Sequence, residues 1–357
     1  MELNENRVAA VRSLRIERWT RTAGVAAVVI VVVLVALALG PLFLGAGMAD
    51  ALTRLFIYVI LAVMWNALAG YGGLLSIGQQ GFFGLGAYLT VRLAGAGIDP
   101  YLAIPLAAVG SGVISIVISA FMLQLAEGRF AIATWVAAEL TMLLVLLDPA
   151  VHGFTGTSLA QIMAYAAPVR RSLTYWLALA TMVVVLAIVF ALLRSRVGAA
   201  VQAIRDDAGA AAAVGVRVTE TKRILFVLAA FGAAAAGGLW LAATITFQPE
   251  SFFSVQWSAI MIFMVLVGGI GTFEGALIGA LVFFLIEHFL GASGVWYLIT
   301  LGAAALVFAL FVPHGIWGVI ERRFGVNLLP VGYRVHLPER LQARVTHREG
   351  MVPGVRG

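Results

Sequence analysis

Long apolar runs alternate with short polar breaks along this chain, and few of the breaks carry charge. The runs lie near residues 23–44, 51–70, 74–95, 101–126, 129–148, 173–193, 223–247, 256–271, 276–290 and 295–312. About 20 apolar residues in a helix cross roughly 30 Å of hydrocarbon, with every backbone hydrogen bond satisfied internally. The pattern predicts an all-α, polytopic membrane bundle. Arginine placement tests the number of spans. Basic stretches cover 7–21, 194–223 and 322–348, and such stretches mark the cytoplasmic side. If all three lie on one side, an even number of spans separates each neighbouring pair. Six and then four meet that condition, which predicts about ten spans (eight to ten) and cytoplasmic termini. Arg129 falls inside as expected, whereas Arg170 and Arg171 fall outside, against the rule. The runs at 74–95 and 276–290 are short or glycine-rich, so either could re-enter rather than cross.

The expected organisation is a basic cytoplasmic N-terminus (1–22), a transmembrane domain (23–313) holding a cytoplasmic segment at 194–223, and a cytoplasmic tail (314–357). The start is too polar and too long for a cleaved signal, and the first apolar run is too long for a signal core. Composition agrees, with 62% hydrophobic and 11% charged residues against about 25% charged in soluble domains. The net charge of +6 comes with arginines clustered at the polar stretches, so it does not point to nucleic acid. With no cysteine, disulfides, thiolate metal sites and cysteine nucleophiles are excluded. Lys222 is the only lysine and follows Thr219-Glu220-Thr221 rather than a glycine run, so no GxxxxGK[ST] phosphate loop exists. Any ATPase must be another polypeptide. Histidines 152, 288, 314, 336 and 347 show no ligand spacing, and no Gly-x-Ser-x-Gly elbow is present. No enzyme, metal site or cofactor is expected in this chain.

Three features carry candidate chemistry. In GYGGLLSIGQQGFFGLGAY (70–88), Gly78, Gly81, Gly84 and Gly86 recur at three-residue spacing or nearly so, a strip that lets another helix approach closely. Adjacent amides point in different directions, so Gln79 and Gln80 cannot both hide in one seam. At least one is expected to face a translocation path or to partner backbone at a helix break. The Ala-rich stretch 194–224 favours helix, is bracketed by Gly198 and Gly215, and holds Arg205, Asp206 and Asp207 at its centre. Its length suits a surface helix that a partner protein grips. Charges inside apolar runs default to function. Glu139 reads as a path or helix-pairing residue, Glu274 sits at an inner turn, and Glu287 with His288 reads as an interfacial pair reaching water. Neighbours on a helix point about 100° apart, which weakens a proton relay through that pair.

Five blocks, in order, resemble the branched-chain amino acid ABC importer permeases of the LivM type. They are NALAGYGGLLSIGQQGFFGLGAYL (66–89), LAEGRFAIATWVAAEL (125–140), FTGTSL (154–159), AIRDDAGAAAAVGVRVTETKRILFVLAAFGAAAAGGLW (203–240) and VGGIGTFEGALIGALV (267–282). The chain departs from the family pattern at Gln79, where His is usual, at Ala208 and Ala212 for glutamates, and at Thr157 for glycine. The resemblance implies a substrate path at Ser76, Gln79, Gln80, Phe82, Glu139, Thr155 and Thr157. It implies ATPase coupling at Arg205, Asp206, Asp207 and Gly215, and helix packing at Gly78, Gly81, Gly84, Gly86, Gly268, Gly269 and Gly271. The partners implied are a second homologous permease, two ATP-binding subunits carrying ATP and Mg, and an extracytoplasmic substrate-binding protein. The setting implied is the lipid bilayer of a bacterial-type cytoplasmic (inner) membrane. Branched-chain amino acids or related small polar solutes are the expected cargo. A urea or short-amide importer and a proton-coupled secondary transporter are the alternatives.

Overall fold

The computed structural model describes residues 15–17, 21–125, 127–312, 314–324 and 334–336. It falls into two compact units, 32–326 and the pair of ends 1–31 with 327–357. In the unit of the chain ends, β1 (Arg15–Glu17) pairs antiparallel with β4 (Arg334–His336). Most of the expected N-terminal and C-terminal segments lie outside the described residues.

The larger unit is helical. Helix α1 spans Arg21–Ala38, running in from the chain-end unit, and α2 spans Ala46–Trp65, extended by a π-helical turn over Asn66–Tyr71. Helices α3 (Gln79–Gly95), α4 (Pro100–Met122), α5 (Glu127–Leu146) and α6 (Ala167–Arg194) follow. Two short helices, α7 (Arg196–Asp206) and α8 (Ala208–Ala213), precede α9 (Val218–Thr244). The chain then forms α10 (Gln256–Gly268), α11 (Phe273–Leu290), α12 (Val295–Phe311) and α13 (Gly315–Phe324). Local chemistry sets the boundaries. Asp99 caps α4 by accepting the Tyr101 N–H at 2.9 Å, and Pro100 supplies the first helical residue, where no amide donor is needed.

Among the described residues seven helices are long and apolar enough to cross a membrane, or eight if the bent pair at 299–311 and 315–323 counts as one span. The arginine argument gave about ten, with eight to ten allowed, and a helix occupies each of the ten apolar runs. Of the apolar run 74–95, only the 17 residues from Gln79 are helical.

Helix α9 is the hub. Its Ala229, Ala230, Ala233, Ala234, Ala235 and Ala236 are buried, and α3, α4, α2 and α6 pack around it. Small side chains let the backbones come close without interdigitation, the packing mode available where lipid removes the hydrophobic drive between helices. A Cβ on Gly237 would lie 1.9 Å from the Phe83 carbonyl oxygen of α3. Outer helices turn large apolar residues outward, among them Leu102, Val109, Val113 and Val117 of α4 and Leu140, Leu143 and Leu144 of α5. Thr157–Ser158 (β2) pairs with Thr246–Phe247 (β3), tying the loop before α6 to the end of α9.

Candidate functional site

Two interruptions of the helices meet at one end of the bundle. The first is the π-turn ending α2 together with the non-helical residues 72–78. The second joins α10 to α11 through Gly269 (φ 132°) and Gly271 (φ 75°). Asn66 clamps them together. Its Nδ2 donates to the Thr272 carbonyl and its Oδ1 accepts the Gly271 N–H, each at 2.8 Å. A Cβ on Gly70 would lie 2.6 Å from the Gly271 nitrogen. Arg205 of α7 lies beside both breaks. A Cβ on Gly271 would meet its Nη1 at 2.6 Å, and one on Gly73 (φ 68°) would meet its Cα at 3.8 Å. Positive φ at Gly73 and Gly271 is a conformation that glycine adopts without steric penalty.

Arg205 belongs to a docked helix pair. Ser195 caps α7 by accepting the Val197 N–H, and Asp207 caps α8 by accepting the Gly209 and Ala210 N–H groups at 2.8 and 3.0 Å. Val201, Ile204 and Ala211 are buried against the bundle. Gln202, Arg205, Asp206 and Asp207 are exposed, as is Val214 at 80%. Of the four expected coupling residues, then, Asp207 spends its carboxylate on a cap, Arg205 lies beside the breaks, and Asp206 faces outward. Gly215 (φ 91°) makes the turn toward α9.

The first break leads directly into the amide pair. Gln79 and Gln80 open α3 and are 1% and 0% exposed. The Gln80 Oε1 accepts from the Ser258 hydroxyl of α10. The Gln80 Nε2 and both polar atoms of Gln79 are buried without a partner, and burying an unpaired amide costs free energy. Ser76 is spent on the break itself, its carbonyl accepting from the Trp65 indole at 3.0 Å and its hydroxyl accepting the Gly78 N–H at 3.2 Å. Phe82 packs edge-on against Phe226 of α9.

The glycines of α3 serve three neighbours, where their spacing suggested a single strip. Cβ atoms on Gly78 and Gly81 would collide with Thr134 and Ala138 of α5, on Gly84 with the Phe253 ring, and on Gly86 with Ala234 of α9. The reason is geometric: three residues fall short of a 3.6-residue turn, so the strip winds around the helix.

Other expected path residues stand apart from the amides. Glu139 accepts from Trp135 on its own helix at 3.1 Å. Thr155 donates to the His152 carbonyl at 2.7 Å, and Thr157 sits in β2. Glu287 accepts the Tyr58 hydroxyl while His288 stacks on Phe284, so the two neighbours have separate environments. Sequence reasoning missed Asn66 and Ser258. An amide inside the apolar run 51–70 was a signal of the same kind as Gln79. A serine in an apolar helix gives none. Among the described residues no group of three metal-ligating side chains converges.

The family described as the branched-chain amino acid transport system permease component matches residues 47–312. The chain belongs to this family. It is also similar to two high-affinity branched-chain amino acid transport system permease proteins named LivM. The Salmonella typhimurium (strain LT2) relative is 25% identical over 304 residues, covering 77% of this chain and 71% of the relative. The Escherichia coli (strain K12) relative is 24% identical over the same extent. Membership makes this a transport permease subunit and not an enzyme, and its apolar helices make it a membrane protein. Both glycine breaks, the amide pair and the α7–α8 segment lie inside the stretch the family matches.

Proposed function

We propose that this chain is one of two permease subunits of an ATP-driven importer for branched-chain amino acids or related small polar solutes in a bacterial-type cytoplasmic membrane. Two ATP-binding subunits would dock on the exposed side of α7–α8, and an extracytoplasmic binding protein would deliver substrate to the opposite end. ATP and Mg stay on the ATPase subunits, and this chain contributes no cofactor.

The observation that carries this reading is Arg205 lying beside both helix breaks while α7 and α8 keep an exposed face. A partner that moves α7 moves the two breaks together, and one of them leads into the helix that begins with Gln79 and Gln80. The amide groups without partners then become hydrogen-bonding groups for substrate in the alternate state of the bundle. ATP binding needs only to bias such a two-state equilibrium, with no covalent chemistry in this chain.

Leucine uptake into proteoliposomes of the whole transporter tests the reading. Uptake requires ATP on the α7–α8 side and persists when the proton gradient is collapsed. Asp206→Arg lowers co-purification of the ATPase subunits. Arg205→Ala leaves them bound but lowers uptake about tenfold, within the usual range of coupling energies. Uptake driven by a proton gradient without ATP sinks the proposal in favour of a secondary transporter.

A further inference from the structure

At the end of the bundle away from α7–α8 lie two cavities, both lined by Trp240. Helix α9 leaves α8 at Val218 and ends at Thr244, so Trp240 lies about one turn from its far end. The first cavity, about 460 Å³, is lined by Tyr58, Trp240, Trp257 and Tyr297 with the carboxylates of Glu250 and Glu287. The rings of Trp240 and Trp257 meet edge to face, 4.9 Å apart, and Tyr58 stands 6.1 Å from Trp240. The Tyr58 hydroxyl lies 2.8 and 2.7 Å from the two Glu287 oxygens and fixes the carboxylate. Among the described residues no arginine or lysine lines this cavity. Aromatic faces with an oriented carboxylate form an environment that attracts an ammonium group.

The second cavity, about 320 Å³, has the opposite character. Among the described residues Arg54, Arg170 and Arg171 line it with a single carboxylate, Asp50. Arg171 pairs with Asp50 at 2.9 Å, which leaves the cavity with excess positive charge. Arg170 and Arg171 are the two residues that defied the arginine rule. Asp50, Arg54 and Tyr58 recur every fourth residue, so one face of α2 runs from the basic cavity into the acidic, aromatic one.

We infer that the two cavities form one receiving site for a zwitterionic α-amino acid. The ammonium is held by Glu287 and the rings around it, and the carboxylate by Arg54. An α-amino acid carries both charged groups on one carbon, so it binds beside Trp240, which lines both cavities. Its apolar side chain then lies against Ile260 and Phe252, which line the first cavity. The volumes fall within the usual range of small-molecule sites, about 300–1,000 Å³. The inference rests on the substrate class in the proposed function and supplies the groups that select it.

The test uses the full-length chain in lipid nanodiscs, read by tryptophan fluorescence, beside ATP-driven uptake by the whole transporter. The probes are L-leucine, 3-methylbutylamine, which carries only the ammonium, and 4-methylpentanoate, which carries only the carboxylate. Leucine binds about tenfold tighter than either single-charge probe. Glu287→Gln erases the advantage of leucine over 4-methylpentanoate, and Arg54→Gln erases its advantage over 3-methylbutylamine. Glu287→Asp restores part of the loss, which separates lost recognition from misfolding. Equal binding of the three probes, or an unchanged leucine Kd in both Gln variants, overturns the site. If ATP-driven uptake persists alongside those results, the importer reading survives. The expected binding pattern without ATP-driven uptake strikes the importer reading alone.

Discussion

The two glycine-rich blocks look alike in composition and do different work. In 267–282 the glycines close a hairpin: Cβ atoms on Gly268 and Gly279 would lie 1.9 Å from the Gly275 oxygen and 1.7 Å from the Met264 oxygen. Each contact is backbone on backbone between α10 and α11. In 70–88 the glycines face α5, α9 and the Phe253 ring in turn, and two buried amides stand among them. Glycine density therefore reports close approach, while its partners decide whether the result is a fixed hairpin or a junction. The second block is a clasp and the first a node.

The largest effect is expected where the clasp is tightest. Gly279→Ala places a methyl on a helix backbone that cannot rotate away, so it costs about 3 kcal/mol or more, the upper range of overpacking. Gly84→Ala meets the Phe253 ring, a buried side chain that must shift but is not backbone, and costs about 1–2 kcal/mol. Gly302→Ala, with nothing within 4 Å, serves as the control. Thermal melting of the detergent-solubilised chain ranks the three, and equal melting points for the first two would erase the distinction between clasp and node.

Much of this contrast was legible in the sequence, though only as contact and not as partner. Run length and the scarcity of charge led to a helical membrane bundle, and glycine spacing to close packing. Periodicity does not see a break that removes residues from a helix, so the run at 74–95 promised more helix than the chain forms from Gln79 onward. The α7–α8 segment was placed by its alanines and charge, yet Asp207 reads equally as a partner contact or a cap until the Gly209 and Ala210 amides are seen to bond to it. The Asn66 clamp joins residues 205 positions apart in sequence. No local pattern encodes such a pairing.

A smaller effect, of opposite sign, is expected at the node. Gln79→Leu keeps the volume and removes a buried amide with neither end bonded, so the folded chain gains about 1–3 kcal/mol. Leucine uptake falls in the same variant, because the groups that are unpaired at rest are those assigned to substrate. A raised melting point with reduced uptake supports a polar role bought at the expense of stability. A lowered melting point with normal uptake removes Gln79 from the path and turns the node into another clasp.

The smallest effect tests what anchors the far part of α3. Asp148, in the loop after α5, accepts the Tyr88 hydroxyl at 2.8 Å, also accepts the Ala150 N–H, and lies 3.4 Å from the Arg92 Nε. In that order, these interactions hold its carboxyl below the usual 3.8. The folded state therefore binds this proton less readily than the unfolded chain. The stabilisation is complete above the unfolded value and is lost as pH falls through the lower folded one. Asp148→Asn should melt slightly below the native chain at pH 6, and the gap should narrow progressively as pH falls below 3.8, with Gly279→Ala showing no such convergence. A gap that stays constant with pH would mean that packing rather than this carboxylate holds α3 in place. The node would then owe its alignment to the same kind of contact as the clasp.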